Sequence, residues 1–225
     1  LGVYITFRIL DFADLTVDGS FPLGAAVVAR FIASGGSPLT GTFLAMGAGI
    51  LAGLVTGLLN TKLKISGLLA GILTMTALYS VNLRVMGRAN IPLLRKPTLV
   101  SWFGSKGLAP WVLFLVVVLI VKCLLDLFLK TEIGFALRAT GDNEQMIRSC
   151  GVDTDNMKLL GLGLSNGLVA LSGALVAQYQ GFADVGLGIG TVVAGLASVI
   201  VGQALIRFNG LGWVTMGVII GSIVY

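Results

Sequence analysis

Long stretches without a charged residue constrain this chain more than any other feature of its sequence. A helix needs roughly 20 apolar residues to cross about 30 Å of hydrocarbon at 1.5 Å per residue. Several charge-free stretches reach that length, so the sequence predicts membrane spans near residues 39–60, 65–83, 110–129, 159–181, 185–206 and 211–225. The chain also starts inside an apolar segment and stops within its last span, which predicts a fragment that lacks part of a helix at each end.

Composition supports a membrane environment. Hydrophobic residues make up 56% of the chain and charged residues only 11%, whereas a soluble domain carries about a quarter. The 32 glycines would weaken soluble helices, but small residues let membrane helices pack closely. Glycines repeat four residues apart along several spans, which we interpret as packing within one bundle rather than a dedicated dimer face: Gly49, Gly53, Gly57; Gly67, Gly71; Gly163, Gly167; Gly217, Gly221. We therefore expect an all-α polytopic helix bundle.

The residue inventory excludes several kinds of chemistry. The chain has no histidine and only two cysteines, Cys123 and Cys150, so we expect no metal site, no disulfide framework and no catalytic constellation. The net charge of +5 is ordinary for a membrane protein, and there is no aromatic-interleaved basic patch to bind nucleic acid. The phosphate-binding pattern GxxxxGK[ST] is also missing, so any ATP must be hydrolysed on another subunit.

The longest charged stretch, from Lys130 to Lys158, must lie outside the hydrocarbon. We predict a short amphipathic helix within it, beginning at Thr140 or Asp142 and ending at Gly151. Its apolar face would carry Met146, Ile147 and Cys150. A second helix would start at Asp153 or Thr154.

Lysine and arginine indicate which side this stretch faces. If it is cytoplasmic, alternating spans place eight basic residues inside (Lys62, Lys64, Lys122, Lys130, Arg138, Arg148, Lys158 and Arg207) and five outside (Arg84, Arg88, Arg95, Lys96 and Lys106). The positive-inside rule therefore favours a cytoplasmic loop by a small margin.

Four acidic residues lie away from that loop, in or directly before two segments that look alike: Asp11, Asp14, Asp18 and Asp184. Each segment has Phe-Ala-Asp, a glycine-bearing break and a helix of small residues: FADLTVDGSFPLGAAVVA from Phe12, and FADVGLGIGTVVAGLASV from Phe182. They are compatible with coincidence or with an internal repeat of broken helices, which many transporters place at the membrane centre. Because an ionisable group at membrane depth is costly, we interpret five side chains as a polar lining or its gates: Asp14, Asp18, Gln178, Gln180 and Asp184. The alternative is that the aspartates only cap helices at the interface, because Asp18 and Asp184 both lie where a helix would begin.

Two further patterns are interpreted as structural. Lys122, Asp126 and Lys130 follow one another at four-residue spacing, which allows ion pairs along one helix face. Trp102, Trp111 and Trp213 lie near predicted span ends, where aromatic rings anchor helices in the headgroup layer.

Three blocks of sequence resemble a known family. They are DLTVDGSFPLGA from Asp14, TEIGFALRATGDNEQMIRSCG from Thr131, and the run from Gly161 to Leu205 that begins GLGLSNGLVALSGALVAQYQG. In this order they resemble the membrane permease subunits of bacterial ABC importers of the branched-chain amino acid and ribose type, closest to the branch linked to tryptophan and tyrosine uptake. The resemblance covers nearly the whole chain.

That resemblance implies one permease domain over residues 1–225, with short broken or re-entrant helices in the type II, vitamin B12 permease-like arrangement. It implies that residues 131–157 form a cytoplasmic coupling loop that docks on a separate ATPase. The docking residues would be Gly134, Arg138, Gly141, Asp142, Asn143, Glu144, Met146, Ile147 and Gly151.

The resemblance further implies a non-catalytic subunit in the bacterial cell membrane, without a cofactor of its own. It would work with a second permease subunit, identical or paralogous, with a cytoplasmic ATPase dimer that binds ATP, and with an extracytoplasmic solute-binding protein. The solute would be small, and the branch suggests an aromatic amino acid. The alternative is an ion-coupled secondary transporter or channel that uses the intramembrane aspartates.

Overall fold

The chain folds into a bundle of helices with a two-stranded ribbon. The structure, a computed structural model, describes residues 1–94, 96–104, 110–205 and 210–225. The elements are α1 (Gly2–Tyr4), which continues into a π-helical turn (Ile5–Ile9), α2 (Val17–Ala33), α3 (Pro38–Thr61), α4 (Gly67–Met86), β1 (Asn90–Pro92), α5 (Leu99–Gly104), α6 (Pro110–Leu129), α7 (Glu132–Asp142), α8 (Glu144–Ser149), α9 (Thr154–Gln180), β2 (Phe182–Asp184), a 3₁₀ turn (Val185–Gly188), α10 (Thr191–Leu205) and α11 (Leu211–Val224).

Five predicted spans are confirmed as helical segments long and apolar enough to cross a membrane: Pro38–Thr61, Gly67–Met86, Pro110–Leu129, Thr154–Gln180 and Val185–Leu205. The sixth, α11, is apolar but shorter. The bundle is thus the expected all-α polytopic fold. Of the basic residues used to assign sidedness, Arg95, Lys106 and Arg207 lie outside the described residues.

Helix α2 forms the centre of the bundle, although it was not among the predicted spans. Asp18 and Arg30 bound its charge-free run, which leaves it shorter than the length expected of a membrane helix. The helix is instead enclosed by protein, with Ala25, Ala26, Val28 and Ala29 completely buried.

Glycine provides the close approach between the two longest helices. A Cβ on Gly49 or Gly53 of α3 would collide with the α9 backbone at Asn166 or Leu162. Gly167 of α9 faces Ile50 of α3 in return. The two glycine ridges therefore pack against each other inside the chain, as expected when small residues let helix backbones touch.

The bundle has two distinct ends, joined by α9. At one end β1 and β2 pair antiparallel, with Ile91 opposite Ala183; we call this the ribbon end. At the other end lie α7 and α8, and we call it the α7–α8 end. Helix α9 has 27 residues and spans about 40 Å between them.

Candidate functional site

Asp14 lies at the centre of a buried polar cluster between the helices. Its Oδ1 accepts the Thr16 backbone N–H at 2.9 Å, and its Oδ2 accepts the Asn166 side-chain amide at 2.7 Å. Ser20 of α2 donates to Asn166 Oδ1 at 2.6 Å. The hydroxyls of Thr16 and Thr56 lie 2.8 Å apart. We call Asp14, Thr16, Ser20, Thr56 and Asn166 the Asp14 cluster; it joins α2, α3 and α9 at the break that precedes α2.

The two segments that look alike in sequence also share local geometry. In the second, Asp184 Oδ1 accepts the backbone N–H of Gly186 at 2.7 Å, two residues on, and its Oδ2 faces the Asn90 amide at 3.4 Å. Asp14 has the same pattern, with Thr16 two residues on and Asn166 as the amide. Their environments differ, because Asp14 is completely buried and Asp184 is partly exposed at the ribbon end.

Asp18 links the first segment to the second. Its Oδ1 accepts the Val192 N–H at 2.9 Å and the Thr191 hydroxyl at 2.8 Å, and its Oδ2 accepts the Gly190 N–H at 3.4 Å. These groups form the N-terminus of α10. We expected any capping by Asp18 to act on α2, the helix in which it lies. Its carboxylate instead caps α10, which begins at Thr191, 173 positions further along the chain.

The two glutamines predicted with these aspartates occupy different environments at the ribbon end. Gln178 is buried, where its Oε1 accepts the Leu99 N–H at 3.0 Å and its Nε2 donates to the Thr42 hydroxyl at 2.9 Å. Gln180 is exposed as the last residue of α9. The five predicted lining residues therefore differ in exposure: Asp14 and Gln178 are buried, Asp18 and Asp184 partly exposed, and Gln180 exposed.

The predicted coupling loop contains two short helices instead of one. Thr140 and Asp142, expected as caps, lie inside α7, which begins at Glu132 and is capped by Thr131. Asn143 caps α8 by accepting the Met146 N–H at 3.0 Å. The segment forms two helices because it has two N-capping side chains, Thr131 and Asn143, which lie twelve residues apart. Gly151, at φ +85°, ends the segment as predicted. Asp153 caps α9, as one of the two expected start sites.

The predicted apolar face of the short helix is divided. Ile147 is buried, whereas Met146 and Cys150 are exposed, because neighbouring residues of one helix point about 100° apart. Two residues of α7 are exposed as well, Ile133 and Phe135, the latter 68% exposed. The exposed apolar residues of α7 and α8 are thus Ile133, Phe135 and Met146. Phe135 shares one side of α7 with the exposed Arg138 and Asp142, whereas Ile133 points about 200° away from Phe135.

Two predicted loop glycines are required by close packing. A Cβ on Gly134 would collide with the backbone at Phe128 and Leu129, at the end of α6. A Cβ on Gly141 would collide with the Ile9 carbonyl and Leu10 in the π-helical segment. Gly141 thus lies against the segment that leads to Asp14, rather than in a turn before a helix.

An ionic clasp fastens α8 to the start of α9; its residues are Glu144, Arg148, Thr154, Asp155 and Lys158. Glu144 accepts from Lys158 Nζ at 2.7 Å, from Arg148 Nη2 at 2.9 Å and from the Thr154 hydroxyl at 3.2 Å. Arg148 also contacts Asp155 at 3.0 Å and the Thr154 hydroxyl at 2.6 Å. The hydrogen bond from Lys158 is the main cause that lowers the pKa of the Glu144 carboxyl, and it outweighs the opposing effect of desolvation.

Sequence reasoning missed several residues that complete these sites. Asn166 was not predicted, because its partner Asp14 lies 152 positions away. Thr154 was expected only as a helix start and Lys158 only as a basic residue, and neither expectation indicates their contacts with Glu144. Three polar residues of α4 were also missed, although their four-residue spacing in the sequence predicts one shared helix face: Thr76, Ser80 and Arg84. All three are exposed. Polar groups on the outside of a spanning helix are typical of contact with water or protein rather than lipid.

Comparison with known proteins places the chain in a family. Residues 1–225 match the family described as "Branched-chain amino acid transport system / permease component". A tyrosine transport system permease protein of Clostridioides difficile (strain R20291) is 51% identical over 225 residues, which are 100% of this chain and 75% of the relative. An uncharacterized protein of Rickettsia prowazekii (strain Madrid E), RP368, is 40% identical over 210 residues, 93% and 73% of the two chains.

A sugar permease matches more distantly. The galactofuranose transporter permease protein YtfT of Escherichia coli (strain K12) is 32% identical over 169 residues, 73% of this chain and 48% of the relative. No solved structure matches the chain. The resemblance noted from the sequence is thus confirmed over the full length, and the five apolar spans agree with it. The chain belongs to the family of branched-chain amino acid transport system permease components, multi-pass proteins of the bacterial inner membrane.

Proposed function

We propose that this chain is the permease subunit of an ATP-driven importer and carries an aromatic amino acid into the cell. The substrate class rests on the relative that is named a tyrosine transport system permease. In this proposal, residues 131–157 face the cytoplasm and dock on a separate ATPase. Solute arrives from an extracytoplasmic binding protein at the ribbon end.

The observation that carries the proposal is the shape of the α7–α8 end. A docking element must present a surface to its partner and must also be rigidly attached to the part that moves. The exposed side chains of Phe135 and Met146 supply apolar contact area, which is typical of protein contact sites. The ionic clasp supplies the attachment, since it fixes α8 to the first turn of α9.

Helix α9 offers a mechanical route from that surface into the bundle. It is continuous from Thr154 to Gln180, and Asn166, near its middle, bonds both Asp14 and Ser20. A displacement of α8 would therefore act on α2 and on the break that precedes it. Through Asp18, the same break is tied to the N-terminus of α10.

We propose that the polar side of α4 borders the solute pathway. Thr76, Ser80 and Arg84 are exposed on a helix whose other exposed residues are mostly apolar. A second permease subunit facing this side would enclose a polar channel between the two copies. The aspartates Asp14, Asp18 and Asp184 then act by holding the broken segments, which is how their hydrogen bonds are arranged.

Docking is tested by substitution on the outer side of the loop. Met146→Asp and Phe135→Asp place charge on the apolar surface without disturbing buried residues. We expect both to reduce pull-down of the ATPase subunit and uptake of radiolabelled tyrosine in proteoliposomes with the binding protein. The control for the pull-down is Ile189→Asp, which places the same charge on a more exposed apolar residue (86%) at the opposite, ribbon end and should leave ATPase binding unchanged.

The energy source separates this proposal from ion-coupled transport. Uptake that is abolished by vanadate and insensitive to a protonophore supports the importer. Uptake that survives vanadate but stops with the protonophore, together with normal ATPase binding by the Met146 and Phe135 variants, would overturn it.

A further inference from the structure

A cleft with a basic lining opens between α6 and α11, away from the sites described so far. It has a volume of about 400 Å³ and is lined by Leu119, Lys122, Cys123, Asp126, Leu127, Lys130 and Met216. Helix α6 is the least enclosed of the spans, with 17% of its most apolar window buried inside the protein. Leu124 and Leu127 are each more than half exposed on its outer side. The cleft therefore opens toward the bilayer.

The charges in the cleft leave an excess of one positive charge. Lys122 Nζ lies 2.6 Å from Asp126 Oδ2, and the Thr215 hydroxyl of α11 donates to Asp126 Oδ1 at 2.7 Å. Both oxygens of the one acid are thus engaged. Among the residues that the structure describes, Lys122 bonds only Asp126, so two of its three N–H groups are available. Lys130 is exposed at the mouth of the cleft.

The arrangement is polar at one end and apolar at the other. Lys130 follows α6 at the α7–α8 end, and Lys122 lies two turns deeper, about 12 Å along the axis. Above the cleft, Leu119 and Met216 also line a larger cavity of about 860 Å³ whose walls include Leu115, Val118 and Ile219. A ligand that fits both spaces has an anionic head near the membrane surface and a hydrocarbon chain directed toward the bilayer centre.

We propose that this cleft binds an anionic phospholipid of the membrane. The headgroup phosphate lies between Lys130 and the free N–H groups of Lys122, and one acyl chain follows the apolar groove between α6 and α11. Basic pockets between spanning helices suit such headgroups. Asp126 does not repel the phosphate strongly, because Lys122 neutralises it and Thr215 bonds its other oxygen. The proposal is independent of the ATPase and of the transported solute.

The test is lipid retention by the purified protein, measured by native mass spectrometry after exchange into mixed micelles with phosphatidylglycerol or phosphatidylcholine. We expect wild type to retain phosphatidylglycerol preferentially. Each lysine near a membrane surface contributes about fivefold to anionic lipid binding, so Lys130→Gln should weaken retention by about that factor. Lys62→Gln is the matched control, because Lys62 is also exposed at the α7–α8 end.

A second variant tests the deeper part of the cleft. Replacing the ion pair together, as Lys122→Met with Asp126→Leu, keeps the packing of α6 and removes both charges. We expect this variant to retain less phosphatidylglycerol than wild type, because the N–H donors of Lys122 are gone, while its melting temperature stays near that of wild type. Competition by millimolar inorganic phosphate would identify a site for the free anion instead of a lipid. Equal retention of the two lipids by wild type, or unchanged retention by Lys130→Gln, would overturn the proposal.

Discussion

Asn166, near the middle of α9, donates its side-chain amide to the carboxylate of Asp14 at 2.7 Å, across 152 positions of sequence. Asn166 also accepts from Ser20, so one amide joins the longest helix to the break before α2 and to α2 itself. At membrane depth, a group that lost such a partner would remain unsatisfied at a cost of about 1–3 kcal/mol. The pair is therefore both a structural bond and a direct connection between α9 and α2.

Asp14→Asn should destabilise the protein, because the new side chain has one acceptor oxygen for two donors, the Thr16 N–H and the Asn166 amide. We expect a fall of about 1–3 kcal/mol in the free energy of unfolding and a loss of uptake. The exchange variant, Asp14→Asn with Asn166→Asp, restores a donor opposite an acceptor and should recover most of the stability. Thermal unfolding in detergent checks this, and no recovery in the exchange variant would contradict the assigned pairing.

Asp18→Ala should unfasten the start of α10, since it removes the oxygens that accept the N–H groups of Gly190 and Val192. Loss of a helix cap costs typically about 1 kcal/mol, whereas Asp18→Asn keeps an acceptor and should cost less. Hydrogen exchange of the amides in residues 190–194 measures the difference. If Asp18→Asn abolishes uptake while exchange stays as in wild type, Asp18 acts on the solute rather than as a cap.

Gly53→Leu should separate α3 from α9, because even a Cβ at this position collides with the Leu162 carbonyl. Overpacking of this kind costs about 1–3 kcal/mol. The control is Gly47→Leu on the same helix, where a Cβ meets no neighbouring atom within 4 Å. Melting temperatures of the two variants should differ by several degrees, and equal values would show that the two helices do not need the close contact.

Gly141→Ala should push α7 away from the Ile9 carbonyl and so disturb the segment that leads into Asp14. We expect reduced coupling of ATP hydrolysis to uptake, with the protein still inserted in the membrane. Gly163→Ala provides the comparison, because its Cβ would make an ordinary contact of 3.5 Å with Leu54. Normal coupling in Gly141→Ala would mean that this contact is not used in transmission.

The ionic clasp should respond to acid in a predictable direction. The pKa of Glu144 is lowered in the folded protein, so the contribution of the clasp to stability is complete above the ordinary glutamate pKa of about 4.3 and is lost as the pH falls through the lowered value. Lys158→Met removes the main cause and should move the titration of Glu144 to higher pH. Carboxyl-carbon NMR of Glu144 checks this.

Arg148→Gln tests the second basic partner of Glu144 by the same NMR titration. The charge of Arg148 lowers the pKa of Glu144 less than the contact with Lys158 does, so this variant should shift the titration less. A larger shift with Arg148→Gln than with Lys158→Met would reverse the assigned order of the two partners.

The membrane spans could be predicted because length and charge decide them locally. A charge-free run such as that from Pro38 to Thr61 is long and apolar enough to cross a membrane, whatever its neighbours are. The capping residues are nearly as local, since Asp153 and Gly151 act on groups within three positions. The two Phe-Ala-Asp segments look alike in sequence, and their local geometry agrees, since each aspartate accepts the backbone N–H two residues further on.

Position in the bundle depends on contacts that sequence spacing does not encode. Asp18 was expected to cap its own helix and instead caps α10, because folding brings the start of α2 next to the start of α10. Met146 and Ile147 looked like one apolar face, and tertiary packing buries only the second. Helix α2 did not meet the length expected of a membrane span, yet it forms the core because other helices, not lipid, surround it. The sequence by itself determined which segments could enter the membrane; the tertiary structure decided which polar groups meet there, since a buried donor can be satisfied by any acceptor that the fold brings within reach.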